Sequence, residues 1–373
     1  MRVLMTGGGT GGHINPALAI AKTILTEEPD SEIAFVGTSR GMENRLVPKE
    51  GFRLYHIEMR GLRRSLSPAN LRTLALMVTS VAKAKHLIRD FKPDICIGTG
   101  GYVSWPLIRA AAALGVPTAM HESNALAGVA TRLLAQHTDI LFTNFESTAA
   151  QLPRAKRILH VGNPLKNAFS TVDREKARRT LGFTNTYRYS LLSCGGSLGA
   201  GAINREMLRL MAEYSCKHPE LHHLHQTGVD NYAEVYTEFK RLGLDRYPNL
   251  TLVDYIYDMP DRLAAADLVI NRAGAMTLSE LALLSKATIL IPSPNVTDNH
   301  QYKNAKVLAD ADAAVLLEES ALRGSVLADT VDALLHDREK RRQLSENFSK
   351  FAIKNTNILI YNEIKKLVNS RKV

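Results

Sequence analysis

Cysteine is scarce in this 373-residue chain: Cys96, Cys194 and Cys216 lie far apart and form no CxxC pair. That excludes a disulfide framework and points to a reducing cytosol. No stretch reaches ~18 uninterrupted apolar residues, so no membrane span is expected. The opening residues hold no apolar run of the signal-peptide kind. A GxSxG nucleophile elbow is missing. "HESN" (residues 121–124) starts like a zinc-binding HExxH and lacks the second histidine. No aromatic-rich strand offers a stacking platform, which counts against an RNA-binding module. Acidic residues fall short of basic ones, 37 against 47, for a net charge of +10. An excess of that size favours a polyanionic partner: phosphorylated substrate, anionic membrane face or nucleic acid.

What the chain does have is alternation. "RVLMTG" reads as a short buried strand ending in glycine. "NPALAIAKTILTEE" reads as the following helix, with Leu18, Ala21 and Leu25 on one face and Pro16 in its first turn. "EIAFVGT", "PDICIGTGG", "VPTAMHES" and "DILFTN" continue as strands, with "SWPLIRAAAALG" as a helix between the second and third of them. The series restarts at "YSLLSCGGSLGAGAIN" (residues 189–204), and "ADLVINRAGAMTLSELALLSKATILIP" echoes the earlier strand–glycine–helix–strand unit. Two such halves predict an α/β protein with two Rossmann-like parallel sheets. We place the first domain at 1–162, the second at 163–345, and a basic terminal helix at 346–373 packing back on the first. The segment Gly61–Asp90 carries Arg63, Arg64, Arg72, Lys83, Lys85 and Arg89 around an apolar stretch. It reads either as a membrane-surface element or as a buried helix with a basic rim.

Glycines after a strand let the backbone approach a ligand closely, and the amides of the next helix attract anions. Five of residues 7–12 are glycine. Gly7, Gly9 and Gly12 satisfy GxGxxG, yet the second strand ends in "FVGTSR" without the carboxylate a dinucleotide ribose needs. A P-loop is excluded because His13 and Ile14 replace its Lys and Ser/Thr. A neutral histidine at a helix start would serve as a base; one held by a backbone carbonyl is the plainer alternative.

Further on, "HHLH" (residues 222–225) makes a poor chelate, because neighbours in a strand face opposite ways. Asp310 and Asp312 form the only DxD and read as a turn. In "RAGAMTLSE", loop amides after Gly274 suit a diphosphate, and Glu280 suits a ribose diol; a plain helix cap by Thr277 or Ser279 is the alternative. The amides of "TDNHQYKNA" suit sugar hydroxyls.

Together and in order, "GGGTGGHINPALAIA", "GTGGYVSWP", "HESNALAGVATRLLA", "VGNP", "GGSLGA", "HQTG", "RAGAMTLSEL" and "TDNHQYKNA" resemble glycosyltransferase family 28 over nearly the whole chain. These are the N-acetylglucosaminyltransferases of bacterial peptidoglycan synthesis. The resemblance implies the GT-B fold, two Rossmann-like domains separated by an interdomain cleft. It implies transfer of N-acetylglucosamine from UDP-N-acetylglucosamine to the 4-hydroxyl of the muramoyl sugar of lipid I. The product is lipid II, formed with inversion at the cytoplasmic face of the membrane by a peripheral protein. A UDP-N-acetylglucosamine 2-epimerase on the same fold is the alternative.

By the same resemblance, Thr10, Gly11, Gly12, Asn124, Ser197, Ile256, the segment Ala275, Met276, Thr277, Leu278, Ser279 and Glu280, and Gln301 match donor contacts. Glu280 matches the ribose ligand and Ile256 a backbone contact to uracil. Lys166 stands where the family often has arginine, and Leu198 where its pattern has glutamine. Gly100, Gly101 and Tyr102 match an acceptor-diphosphate region. His13 or Glu122 takes the acceptor's proton. No metal or cofactor is expected, the partners being UDP-N-acetylglucosamine, lipid I and an anionic membrane surface, with no nucleic acid.

Overall fold

The computed structural model describes residues 1–59, 69–183, 186–196 and 199–371, with side chains placed for all of these except 69–75 and 297. It divides into two units, Met1–Leu165 with Ile353–Val373, and Lys166–Ala352.

The first unit is built on a parallel sheet of seven described strands: β1 (Arg2–Thr6), β2 (Glu32–Gly37), β3 (Arg53–His56), β4 (Ile95–Gly98), β5 (Thr118–Glu122), β6 (Ile140–Thr143) and β7 (Ile158–His160). Their spatial order is β3-β2-β1-β4-β5-β6-β7. The order reverses between β1 and β4, where Thr6 lies opposite Gly98. Open parallel sheets bind ligands at such a switch point, outside the carboxyl ends of the strands. Apolar runs such as "VLMT" are buried on both faces, as a helix-covered parallel sheet requires. Helix Gly11–Glu27 buries Ile14, Ala17, Leu18, Ala21 and Ile24 against one face, each large aliphatic side chain contributing roughly 1.5–3 kcal/mol. Helix Thr356–Asn369 joins that core through Ile360, Tyr361, Ile364 and Val368.

The helix after β1 starts earlier than its sequence suggests. Gly11, Gly12 and His13 form its first turn, so Pro16 lies in the second. Lacking an N–H, Pro16 gives the Gly12 carbonyl no helical partner. The terminal segment also divides differently. Helix Arg338–Ser349 stays in the second unit, with Leu344 and Phe348 fully buried, and the return to the first unit begins at Ile353.

The second unit repeats the plan with six described strands: β8 (Tyr189–Cys194), β9 (Leu221–Gln226), β10 (Leu250–Val253), β11 (Leu268–Asn271), β12 (Thr288–Leu290) and β13 (Val315–Leu316). Their order is β10-β9-β8-β11-β12-β13, again all parallel. Here the switch point lies between β8 and β11, with Cys194 opposite Asn271.

Among the described residues no helix is long and apolar enough to cross a membrane. Helix Ala69–Phe91 turns Ala84, Ile88 and Phe91 into the core and leaves Val78, Lys83, His86 and Arg89 exposed. Its described part therefore has a basic solvent face. Arg63 and Arg64 lie outside the described residues.

Candidate functional site

In the first unit the two glycine turns at the switch point grip each other. Gly100 and Gly101 have φ of +102° and +79°, a region only glycine enters freely. A Cβ on Gly100 would run into the His13 ring, and one on Gly101 into the Gly8 carbonyl. The Thr99 hydroxyl donates to the His13 carbonyl at 2.6 Å, and its own carbonyl accepts from His13 Nδ1 at 3.2 Å. A carbonyl can only accept, so Nδ1 carries the proton and the basic lone pair is on Nε2. The carbonyl contact is thus present, and it also sets the tautomer a base needs. Thr10 is the N-cap of this helix, and Thr10 and Gly12 are exposed at its rim.

Glu122, at the end of β5, is buried and accepts four hydrogen bonds. Oε1 takes the Asn124 N–H (3.0 Å) and side-chain amide (3.2 Å). Oε2 takes the Gly128 N–H (2.9 Å) and the Thr131 hydroxyl (2.6 Å). The carboxylate thereby folds the loop that presents Asn124 and starts helix Val129–Leu134.

Glu43 comes too late in the sequence to serve a dinucleotide ribose, and its role here is another. It is fully buried, its Oε2 accepts the Gly9 N–H (3.1 Å), and its Oε1 accepts the N–H and hydroxyl of Thr38 (both 3.0 Å). A side chain on Gly8, Gly37 or Gly41 would collide with it. A carboxylate thus already occupies an amide of the first glycine turn, so a nucleotide phosphate there would face like charge. Its sequence signal was a lone acid inside the turn-rich "GTSRGMEN".

The second unit is arranged otherwise. Gly199 has φ of +74°, and a Cβ there would strike the Thr227 carbonyl. Ser197 and Leu198 lie outside the described residues. Helix Ala275–Leu283 opens on Gly274, which brings no capping side chain. Ala275, Met276 and Thr277 form its first turn, while the Ser279 hydroxyl bonds back to the Ala275 carbonyl at 3.2 Å. Capping by Thr277 or Ser279 is therefore not what begins the helix. Glu280 follows one turn in, and its carboxylate makes no hydrogen bond to a described residue. Burial pushes its carboxyl up to about 7, against the pull of Lys166. Leu278 packs inward.

Two further predicted residues are tied into loops. The Gln301 side-chain oxygen accepts the Ser293 N–H at 2.9 Å, and the Ile256 N–H donates to Gln226 Oε1 at 2.9 Å. Asn304 donates to the Ala273 carbonyl at 3.2 Å, bracing the approach to Gly274. In β9, His223 and His225 bond to Ser193, Ser215 and Asn204, whereas His222 faces the other way beside Phe183 and Tyr187. Asp312 accepts from Lys340 and Gln343, a structural role.

The structure therefore gathers Thr10–His13, Gly100–Tyr102 and Glu122–Asn124 in the first unit. Lys166, Ile256, Ala275–Glu280 and Gln301 belong to the second. Paired parallel α/β units, each with a glycine turn at its switch point, define the GT-B class. The chain matches the glycosyltransferase family 28 N-terminal domain over residues 3–143 and the family's C-terminal domain over 190–357. It belongs to that family. It is 39% identical, over its whole length and 99% of the relative's, to the UDP-N-acetylglucosamine–N-acetylmuramyl-(pentapeptide) pyrophosphoryl-undecaprenol N-acetylglucosamine transferase of Acetivibrio thermocellus. The crystal structure of Acinetobacter baumannii MurG superimposes with a TM-score of 0.77 at 28% identity, covering 98% of this chain and 99% of that one. A UDP-GlcNAc 2-epimerase from Neisseria meningitidis reaches 0.68 at 15% identity over 98% and 100% of the two chains, a likeness of fold alone.

Proposed function

We propose that this protein transfers N-acetylglucosamine from UDP-N-acetylglucosamine to the 4-hydroxyl of the muramoyl sugar of lipid I, giving lipid II with inversion. The observation that carries the donor reading is Glu280, a carboxylate without a hydrogen bond to any described residue, one turn inside a helix opened by a bare glycine. Ionised, it accepts from both hydroxyls of a ribose. The first-turn amides of that helix and Lys166 meet the charge that develops on the departing diphosphate. None of these groups needs a divalent ion or cofactor to act.

His13 takes the acceptor's proton. Its Nδ1–H is held by Thr99, so Nε2 receives the proton as the sugar oxygen attacks the anomeric carbon and the bond to the UDP oxygen breaks. Glu122, with four donors already on it, positions the Asn124 loop instead. The acceptor's lipid chain stays in the bilayer, so the enzyme works as a peripheral protein on the cytoplasmic face. The exposed cations of helix Ala69–Phe91 and the +10 net charge suit an anionic surface.

The test is labelled UDP-N-acetylglucosamine with a lipid I analogue, in chelator. Wild type should transfer. His13→Ala should lose roughly 10²–10⁴-fold in kcat, the usual worth of a general base, and Glu280→Ala should mainly raise the donor KM. A mannose-configured product from UDP-N-acetylglucosamine alone, without transfer, would establish the epimerase reading instead.

A further inference from the structure

The second unit has a cavity at the end of its sheet away from the glycine turns. It measures about 170 Å³ and opens beside Asp267 and Lys286, which lead into β11 and β12. Helix Ala275–Leu283 lies between it and the turn at Gly274: nine residues, or about 14 Å of helix. Phosphates held at Gly274 therefore do not reach it.

The walls of the cavity are basic. Arg174, Lys286, Arg338, Arg341 and Arg342 line it, against a single carboxylate among the described lining residues, Asp267. The charge of Asp267 is already met. It accepts from Arg174 at 2.8 Å, from Arg178 at 3.4 Å and from the Ser190 N–H at 2.9 Å. Arg342 is matched by Glu339 and Glu346 on its own helix. Arg341 donates to the Leu334 and Leu335 carbonyls and forms no ion pair with a described carboxylate. Arg338 makes neither an ion pair nor a hydrogen bond with a described residue, and it is exposed at the rim.

Lys286 sits deepest, 6% exposed. Its ammonium donates to the Ala264 carbonyl at 2.6 Å and to the Ala266 carbonyl at 3.1 Å. An ammonium has three N–H groups, so the third has no described partner. Burial first, then Arg174 and Arg178, push Lys286 down to about 7, against the pull of Asp267. A buried cation short of counter-charge is costly, and an anion in the cavity would offset that cost.

We propose that this cavity is a second anion site, taking a phosphate or diphosphate group between Lys286, Arg338 and Arg341. Its size sets the class of ligand. It is well below the roughly 300–1,000 Å³ of pockets that enclose a drug-sized molecule, so it suits a phosphate group and not a whole nucleotide. Guanidinium forks match phosphate oxygens two at a time. The Ser345 hydroxyl, on the same helix as the arginines and without a hydrogen bond to a described residue, adds a donor. Free phosphates and the headgroup of an acidic phospholipid share this chemistry.

The experiment is calorimetric titration of the full chain with inorganic pyrophosphate, with UDP in excess to keep the proposed donor site filled. A parallel titration uses dihexanoyl phosphatidic acid as a monomer in solution. Wild type is compared with Arg338→Gln, Arg338→Lys, Ser345→Glu and Arg323→Gln, the last removing one exposed charge outside the cavity. Wild type should bind one equivalent. Arg338→Gln should weaken binding roughly tenfold, the worth of a hydrogen bond to a charged group. Arg338→Lys keeps the charge without the fork and should stay within about threefold of wild type. Ser345→Glu puts a carboxylate into the cavity and should abolish binding, while Arg323→Gln should match wild type. Tighter binding of pyrophosphate would mark a free phosphate as the occupant, and tighter binding of the phosphatidic acid a headgroup. A folded wild type that binds neither would overturn the inference. So would binding indifferent to Arg338→Gln and Ser345→Glu, or weakened as much by Arg323→Gln, since either means diffuse attraction to the net positive charge.

Discussion

Glu122 and Glu280 are the same residue type, each beyond or at the carboxyl end of a parallel strand, and their surroundings separate them. Glu122 has four donors and is spent on shaping a loop. Glu280 has a partly buried carboxyl raised to about 7, and that carboxyl makes no hydrogen bond to a described residue. Its elevated value has a definite sign. Between the unfolded value of about 4.3 and about 7, the folded chain holds a proton that the unfolded chain has released. Glu280 therefore lowers stability as pH rises through that window. In the proposed donor site the ribose hydroxyls are met by the ionised form, so UDP affinity should climb with pH up to and through 7, with proton release on binding. Glu280→Gln should bind weakly and flatten that profile, and it should be more stable than wild type at pH 8 but not at pH 4. Lys166→Met should shift the midpoint upward, because Lys166 favours the ionised form. Titration calorimetry in buffers of different ionisation enthalpy, with urea melts at both pH values, reads all of this. A pH-independent affinity in wild type would refute it. The sequence marks both glutamates as candidates but cannot rank them, because the donors on Glu122 come from a turn that only folding closes. The bracing role of Glu43 is hidden for the same reason: its partners Gly9 and Thr38 follow two different strands.

At the level of elements, β9 shows how a polar strand becomes core. "LHHLHQ" is buried at all six positions. His223 and His225 are satisfied by Ser193, Ser215 and Asn204, so they stay neutral. Burial pushes His222 and His225 down to about 4, and His223 well down. The unfolded chain takes up protons at these histidines below about 6.5 while the folded chain does not, so stability is lost as pH falls from there toward 4. A buried histidine brought down to about 4, such as His225, contributes on the order of 3 kcal/mol to that loss. Denaturant melts between pH 7 and 4.5 should show the second unit weakening steeply. His222→Phe, placed between Phe183 and Tyr187, should remove one proton's worth of slope. An unchanged slope in that variant would contradict the assignment. The interior strands with continuous apolar runs were legible in sequence; β3, β7, β10 and β13 were not identified. These are two to four residues long and lie at or near sheet edges, half-exposed in part, so their pattern is that of any loop. Helix starts were misjudged where glycine fills the first turn, as at Gly11, because propensity argues against the conformation that tertiary packing enforces.

On the scale of the whole molecule, the repeat of one α/β plan was readable because each half restarts with the same strand–glycine–helix grammar. The exact return of the chain to the first unit was not, because "REKRRQLSENFSKF" and "NILIYNEIKKLV" are both amphipathic, and only packing decides that Phe348 belongs to one core and Ile360 to another. The charge excess is the whole-molecule property with a functional consequence. In the proposed reading the acceptor is anchored in a bilayer, and attraction of the basic surface to anionic lipid would be worth roughly 1 kcal/mol per cation. Lys83 and Arg89 share the exposed face of helix Ala69–Phe91, away from buried Ala84 and Ile88. The full chain should therefore co-float with vesicles containing about 30% anionic lipid, and much less with neutral vesicles or at 0.5 M salt, where the screening length shrinks to a few ångströms. Lys83→Gln with Arg89→Gln should weaken flotation roughly 30-fold, two cations' worth, while activity on a soluble short-chain acceptor stays unchanged. Equal binding to neutral and anionic vesicles, indifferent to salt, would mean that apolar insertion rather than charge holds the protein at the surface.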